Sequence, residues 1–321
     1  MSRVAVWLNN YGNAPYVARC MDSVLAQTYQ DYTLYIFDNN STDGARDIFN
    51  QYQRKHPGKI KVMTMPEGLA GIPAMKFGWD YISGVGADYS ITLGGHDYWP
   101  NPGHLQCLIE RADAERKVHE VALVYSDTWQ VNADDKIVGR FNNILQQAGN
   151  LHRSFIPQWV VSGIDCPPLF GLWNEQVRRQ VPVRYTCAGW DHLVVAEAAL
   201  LGAILYEGRT PLFMRAPPPT DSLEGYGKRH FSPAARQMKD QDFVNQLKWL
   251  ALMIDKAEGE GPRRVLLQAS MFATYLCLRG YNLSVFPGGH EAFMARPEVK
   301  QMLGAYAAIG EAFKRLTASH S

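Results

Sequence analysis

Thr33-Leu-Tyr-Ile-Phe-Asp-Asn-Asn-Ser-Thr-Asp-Gly44 carries an apolar run straight into a dense group of short polar side chains. Thr33 to Phe37 are β-branched, aromatic or Leu, the composition of a buried strand. Asp38, Asn39, Asn40, Ser41, Thr42 and Asp43 then crowd together, and Gly44 closes the group. In an open α/β sheet, ligands bind beyond the carboxyl ends of the strands, where this loop falls. The same residue types also favour turns and helix N-caps. One cap needs only one or two of them, so the surplus favours a ligand loop.

Strand and helix signals alternate on both sides of this stretch. Val4 to Leu8 reads as a strand, Asn9 to Pro15 as a loop, and Tyr16 to Ala26 as a helix with Val17, Cys20, Met21, Val24 and Leu25 at helical spacing. Downstream, Ala45 to Lys55 is predicted helical and His56-Pro-Gly58 stops it. Ile60 to Met65 is a third strand, Ala74 to Ile82 a third helix and Tyr89 to Leu93 a fourth strand, ending in Gly94-Gly-His-Asp-Tyr-Trp99. The alternation predicts an α/β fold with a mostly parallel, Rossmann-like central sheet flanked by helices. Val121 to Tyr125 and Ile137 to Phe141 read as strands around the turn Asn132–Lys136, and a mixed region runs to Arg215. Pro217-Pro-Pro219 marks a boundary, and helical patterns follow at Ala234–Ala257, Pro262–Arg279 and Pro297–Thr317. The expected layout is an α/β domain over 1–216, a linker or mobile loop over 217–232, and a helical C-terminal region over 233–321.

The chain has 321 residues, 46% hydrophobic and 20% charged, the composition of a globular protein with a substantial core. A net charge of +1 gives no reason to expect nucleic acid as partner. The N-terminal apolar run is too short for a signal peptide, and Leu193 to Leu205 is too short and too interrupted for a membrane span. Five scattered cysteines without Cys-x-x-Cys spacing fit neither a disulfide framework nor a zinc site, and point to a reducing cytoplasm.

Taken in order, Val4-Ala-Val-Trp-Leu-Asn-Asn-Tyr11, Ala14-Pro-Tyr16, Asp22-Ser-Val-Leu-Ala-Gln-Thr28 and Asp38-Asn-Asn-Ser-Thr-Asp-Gly44 resemble the family 2 glycosyltransferases of bacterial polysaccharide and lipopolysaccharide type, which have the GT-A fold. The resemblance is strong over residues 3 to 106, continues to about 215, and gives little help beyond Pro219. It implies an inverting transfer of a sugar from a nucleoside-diphosphate sugar, with a UDP-sugar favoured, to a hydroxyl of a saccharide or glycolipid. It also implies that Asn9, Asn10 and Tyr11 flank the base, that Asp38 accepts from a base ring nitrogen, and that Asn40 belongs to the same nucleotide site. Tyr stacks and Asn and Asp direct hydrogen bonds, which suits these roles. The bland alternatives are packing for Tyr11 and a turn or cap for Asp38.

The Glu67-Gly-Leu-Ala-Gly71 loop lets backbone approach a ligand. Lys76 stands where relatives carry Asn, either facing the diphosphate or solvated on its helix. By the same resemblance, Gly95-His96-Asp97 falls on the Asp-x-Asp whose carboxylates hold Mn²⁺ or Mg²⁺, with Pro102 and Leu105 setting the register. The first carboxylate is replaced by Gly95, leaving Asp97 and, as the alternative to a hydrogen bond inside the loop, His96 as metal ligands. Asp191 matches the family's catalytic base, just ahead of a helix predicted over Val194 to Leu205; capping that helix is its alternative role. Arg215-Ala-Pro217 stands where many relatives carry Arg-x-His, and Lys228, Arg229 and His230 lie in a segment that either closes over a diphosphate or is a solvated basic linker.

Apolar stripes in the tail (Trp249, Leu250, Leu252, Met253; Leu266, Leu267, Met271, Tyr275, Leu276) suit packing on the catalytic domain or in a homo-oligomer. Peripheral contact at the inner face of the membrane is the alternative for a lipid-linked acceptor. A non-catalytic nucleotide-sugar-binding or scaffolding protein is the rival reading, motivated by the altered Asp-x-Asp. A nucleotidyltransferase shares a similar sheet but opens on a Gly-rich basic loop, which Asn9-Asn-Tyr-Gly-Asn13 is not.

Overall fold

The computed structural model describes residues 2–67, 69, 71–116, 118, 120–141, 150–151, 167–181, 183, 190–216 and 240–261, with scattered positions from 263 to 304. Its first half is a β/α alternation: β1 (Val4–Asn10), α1 (Ala14–Leu25), β2 (Tyr32–Asp38), α2 (Ala45–Lys55), β3 (Ile60–Thr64), α3 (Ile72–Ser83), β4 (Tyr89–Gly94) and α4 (His104–Glu115). Proline opens both α1 and α3 in their first turns, where its missing N–H costs nothing. The second half is β5 (Val121–Val131), β6 (Ile137–Arg140), β7 (Asn150–Leu151), β8 (Leu172–Asn174), a short helix α5 (Glu175–Arg178), α6 (Trp190–Leu201), β9 (Ala203–Arg215) and α7 (Asp240–Glu258).

One sheet runs in the order β3-β2-β1-β4-β8-β5-β9-β7, with β6 paired to β5 off this path. β1, β2, β3 and β4 are parallel neighbours, and β5 and β9 pair in parallel. The sheet is nevertheless mixed, because β8 lies antiparallel between β4 and β5, and β6 and β7 are antiparallel edges. Nothing in the sequence signals β8: three residues pairing with partners far along the chain carry no local period.

Alternation along β1 builds a core on each face. Val4, Val6 and Leu8 pack with Val17, Met21, Phe49, Leu105 and Leu108 from α1, α2 and α4. Ala5 and Trp7 face the other way, toward Ile72, Trp79 and Ile82 of α3. The same cluster takes in Leu193, Val194 and Ala198 of α6 and Leu250, Met253 and Ile254 of α7. The described part of the tail therefore packs on the main core. Leu252, expected on that stripe, is 37% exposed instead.

The helix expected over Val194–Leu205 ends at Leu201, and Ala203 already belongs to β9. A Cβ on Gly202 would lie 2.8 Å from the Glu120 carbonyl oxygen and 2.9 Å from the Ala122 nitrogen, so the chain turns here tight against β5. A continuous apolar run does not distinguish buried helix from buried strand, which is why the boundary falls elsewhere than expected. The expected linker 217–232, with Lys228, Arg229 and His230, lies outside the described residues. So do most of the helices expected over Pro262–Arg279 and Pro297–Thr317. Cys20 and Cys107 are free thiols. No helix among the described residues is long and apolar enough to cross a membrane.

Candidate active site at the sheet's switch point

From β1 the chain winds outward through β2 to β3, then returns to place β4 on the other side of β1. The crevice beyond the carboxyl ends of β1 and β4 is thus the topological switch point, where open α/β sheets bind ligands. Asn10 ends β1, Asp38 ends β2, and Gly94 ends β4. Backbone bonds tie the three loops together: Asn39 N–H donates to the Asn10 carbonyl at 2.8 Å, and Gly95 N–H to the Asn9 carbonyl at 3.2 Å.

Most of the polar cluster after β2 is engaged in holding this junction. Ser41 Oγ accepts from Gly12 N–H (3.2 Å) and Asn10 Nδ2 (3.0 Å), joining the first two loops. Asn40 adopts φ 58° and donates to the Met65 carbonyl at 3.0 Å, while the Asn39 amide donates to the Leu69 carbonyl. Asp43 accepts from Ala14 N–H at 2.7 Å and Ala45 N–H at 3.2 Å, serving the N-termini of α1 and α2 at once. Asp38 is fully buried, with Oδ2 receiving Arg46 Nε and Nη2, each at 2.8 Å. Its Oδ1 has no hydrogen-bond partner among the described residues. A buried carboxylate oxygen left without a donor is costly unless a ligand supplies one. Sequence reasoning misses Arg46 as part of the site; its signal is a cation in the first turn of the helix after the acidic loop.

Tyr11 is 55% exposed beside this junction, a free aromatic face. Asn10 is buried, and its Oδ1 accepts from Asn13 Nδ2 at 3.1 Å. Asn9 turns toward α3 instead: its Nδ2 contacts Met75 Sδ at 3.4 Å, and its Oδ1 is buried without a partner among the described residues. The structure therefore brings Asn10, Tyr11, Asp38 and Asn40 to one junction and sends the Asn9 side chain underneath it. Lys76 is exposed and forms an i,i+4 ion pair with Asp80.

The β4 turn departs furthest from a metal site. Asp97 is 1% exposed, and its two oxygens accept backbone N–H groups, Oδ1 from Arg215 and Oδ2 from Gly94, each at 3.1 Å. Burial pushes the Asp97 carboxyl above its ordinary range, against the opposing pull of His96 and of the Arg215 and Gly94 N–H groups. His96 is part-exposed, its Nε2 3.4 Å from Asp97 Oδ1. A Cβ on Gly95 would sit 2.0 Å from Asn10 Oδ1. A hard divalent cation at a diphosphate needs at least one carboxylate free to coordinate it, beside phosphate oxygens and water. One buried carboxylate already holding two N–H groups is a latch for the turn, and these residues as arranged do not fit a Mn²⁺ or Mg²⁺ site. Among the described residues, no group of three or more His, Cys, Asp or Glu side chains is arranged to hold a metal ion.

Two cations beside the latch are engaged elsewhere. The Arg215 guanidinium meets Asp135 at 2.5 Å and lies 4.2 Å over the Tyr16 ring; Arg19 meets the same Asp135 at 3.0 Å and lies 4.2 Å over Tyr98. This clamp fastens the β5–β6 turn onto α1. Asp191 lies inside the first turn of α6 rather than ahead of it, because the helix starts at Trp190. Its side chain is 32% exposed, with Oδ1 3.8 Å from Nδ1 of the buried His192. The preceding residues 184–189 lie outside the described residues.

Over 109 residues the chain is 35% identical to an uncharacterized glycosyltransferase (alr2836) of a Nostoc species, covering 34% of this chain and 32% of that protein. Over 143 residues it is 28% identical to a chondroitin synthase of Pasteurella multocida, covering 44% of this chain and 14% of that one. The chain thus spans about a third or less of the length of these curated relatives. In fold it is similar to S. aureus TarS 1–349, solved in complex with UDP-GlcNAc, at a TM-score of 0.64 and 14% identity, over 96% of this chain and 81% of that one. Residues 6–163, which carry the loops after β1, β2 and β4, match the family model described as glycosyl transferase family 2.

Proposed function

We propose that the chain is an inverting glycosyltransferase that moves a sugar from a nucleoside-diphosphate sugar to a hydroxyl of a saccharide or glycolipid. The observation that carries this reading is Asp38 Oδ1, buried and without a donor among the described residues at the switch point, beside the exposed ring of Tyr11. A base stacked on Tyr11 with a ring N–H on Asp38 supplies the missing partner. The glycosyl transferase family 2 match over residues 6–163 supports the reaction class, and the UDP-GlcNAc bound by the TarS protein supports a UDP-sugar as donor. Asn10 and Asn40 hold the loop edges around the base, and Lys76, whose exposed pair with Asp80 is weak, turns to the diphosphate.

Asp191 takes the proton of the acceptor hydroxyl as its oxygen attacks the anomeric carbon. The bond from that carbon to the diphosphate oxygen breaks, and its electron pair leaves with the nucleoside diphosphate. A single displacement inverts the anomeric centre. Asp191 is partly exposed in the first turn of α6, which leaves its carboxylate accessible to a hydroxyl. The work is proposed to take place in the cytoplasm, at the inner face of the membrane where the acceptor is lipid-linked. Contact between copies through the C-terminal helices belongs to the same proposal. Asp191→Asn tests it: transfer should fall by about 10²–10⁴-fold while nucleotide binding persists. Near-normal transfer by the folded variant rejects Asp191 as base.

Gly95 in place of a carboxylate favours a second reading, a nucleotide-sugar-binding protein without activity. Donor binding without transfer or hydrolysis across a broad acceptor panel distinguishes it.

A further inference from the structure

Building on this donor-site reading, we infer that the chain holds the donor's diphosphate without a divalent cation on the β4 turn. Three independent features of that turn lead there.

Asn10 and Gly95 are sterically matched. The Asn10 carboxamide is buried and fixed by bonds to Ser41 Oγ at 3.0 Å and from Asn13 Nδ2 at 3.1 Å. Its oxygen occupies the place where any side chain at position 95 begins, 2.0 Å from an ideal Cβ, with Cγ at 2.9 Å. A carboxylate at 95 therefore collides with the packing of the neighbouring loop as it stands.

Asp97 is spent as well. Each of its oxygens takes a backbone N–H, one from within the turn and one from the end of β9. Its remaining lone pairs are enclosed, because the residue is 1% exposed, so reaching a cation requires turning the carboxylate off both donors. That leaves the Gly94 and Arg215 N–H groups without acceptors, which weakens the turn and its tie to β9 together. Gly94 encloses the same group: a Cβ there would lie 2.8 Å from Asp97 Oδ2. The turn is built around a buried carboxylate and has no room to open beside it.

The third feature is the Asp135 clamp. It ties Arg215, the last residue of β9, to the β5–β6 turn, and the Arg215 N–H meets Asp97, so the latch is braced from outside the turn. The side chain left part-exposed in the turn is His96, a neutral or cationic group rather than an added anion.

The test is calorimetric binding of UDP, GDP, dTDP and CMP to the full chain, each in EDTA and in Mn²⁺. We expect the nucleotide that binds to do so with affinities in the two buffers within about twofold of each other. A loss of about tenfold or more in EDTA overturns the inference and leaves the nucleotide-site reading standing. No binding in either buffer overturns that reading, and the inference with it. A thermal-shift series with the same nucleotides serves as the second measurement: equal stabilisation in EDTA and Mn²⁺ supports the inference, and stabilisation only in Mn²⁺ rejects it.

Discussion

Gly95→Ala should destabilise the protein through one neighbour, Asn10. The added Cβ would lie 2.0 Å from Asn10 Oδ1, 2.9 Å from its Cγ and 3.3 Å from its Cβ. Backbone strain adds nothing, because positive φ among the described glycines falls at Gly12, Gly44, Gly71, Gly86, Gly259 and Gly261. Rotating the carboxamide away breaks its bonds with Ser41 and Asn13, about 1 kcal/mol each. Keeping it in place forces the turn outward, an overpacking cost of about 1–3 kcal/mol. Either route puts Gly95→Ala at about 2–3 kcal/mol. Asn10→Ala alone should cost about 1–2 kcal/mol for the same two bonds. In that background the oxygen is gone, so Gly95→Ala should add less than about 0.5 kcal/mol. The double-mutant cycle should therefore give a coupling of about 2 kcal/mol, read from urea midpoints by tryptophan fluorescence. Trp7, Trp79 and Trp173 are all buried and report on global unfolding. Additivity within about 0.5 kcal/mol would refute the steric pairing.

Arg46→Ala leaves the fully buried Asp38 without its cation. Arg46 is itself 39% exposed, so the usual cost of breaking a buried pair is discounted to about 2 kcal/mol. Its urea midpoint should fall and Arg46→Lys should restore part of the loss; an unchanged midpoint rejects the pair as a structural element. Asp43→Ala removes an acceptor from the first N–H of two helices and should cost about 1–2 kcal/mol, measured in the same way. A loss below about 0.3 kcal/mol would mean water serves both ends equally well. His104 is buried, stacked on Trp99, and burial lowers its pKa from 6.5 to about 3. Between those values the unfolded chain binds the proton and the folded one does not, so stability rises with pH across that window and is lost as pH falls. The full window amounts to about 4–5 kcal/mol. His104→Phe keeps the stack and should flatten this limb; a profile parallel to wild type excludes His104 as its source.

The parallel half of the sheet was legible because each strand is a short apolar run bounded by breakers. The Ala45–Lys55 helix matched at both ends, between Gly44 and His56-Pro-Gly58. β9 was not legible, since Ala203 to Leu205 extends the apolar run of α6 and only a close approach to β5 at Gly202 separates them. At the site, Asp38 was legible by its place at a strand end. Arg46 was not, because on its own helix it reads as surface. The fit of Asn10 against Gly95 joins two positions far apart in the chain, and no local pattern records it.

The crowded loop after β2 shows what a surplus of polar residues measures. Six are too many for one helix cap, and that excess points to a ligand grip. The structure spreads most of them over other duties: Asp43 serves two helices, Ser41 holds the loop after β1, and Asn39 and Asn40 hold the chain after β3. Three strands and two helices end here together, and their orphan N–H and C=O groups all require partners. The number of polar side chains therefore tracks the number of chain ends at the junction. The ligand signal is what remains after that satisfaction, one buried oxygen on Asp38. If that oxygen is the nucleotide's acceptor, Asp38→Asn should weaken nucleotide binding by about tenfold or more, because the replacement presents an amide or an uncharged carbonyl to a ring N–H. Asp43→Ala should leave nucleotide affinity within about threefold while lowering stability. Equal losses of affinity in the two variants would reject the division between the oxygen that waits for a ligand and the side chains that hold the loop.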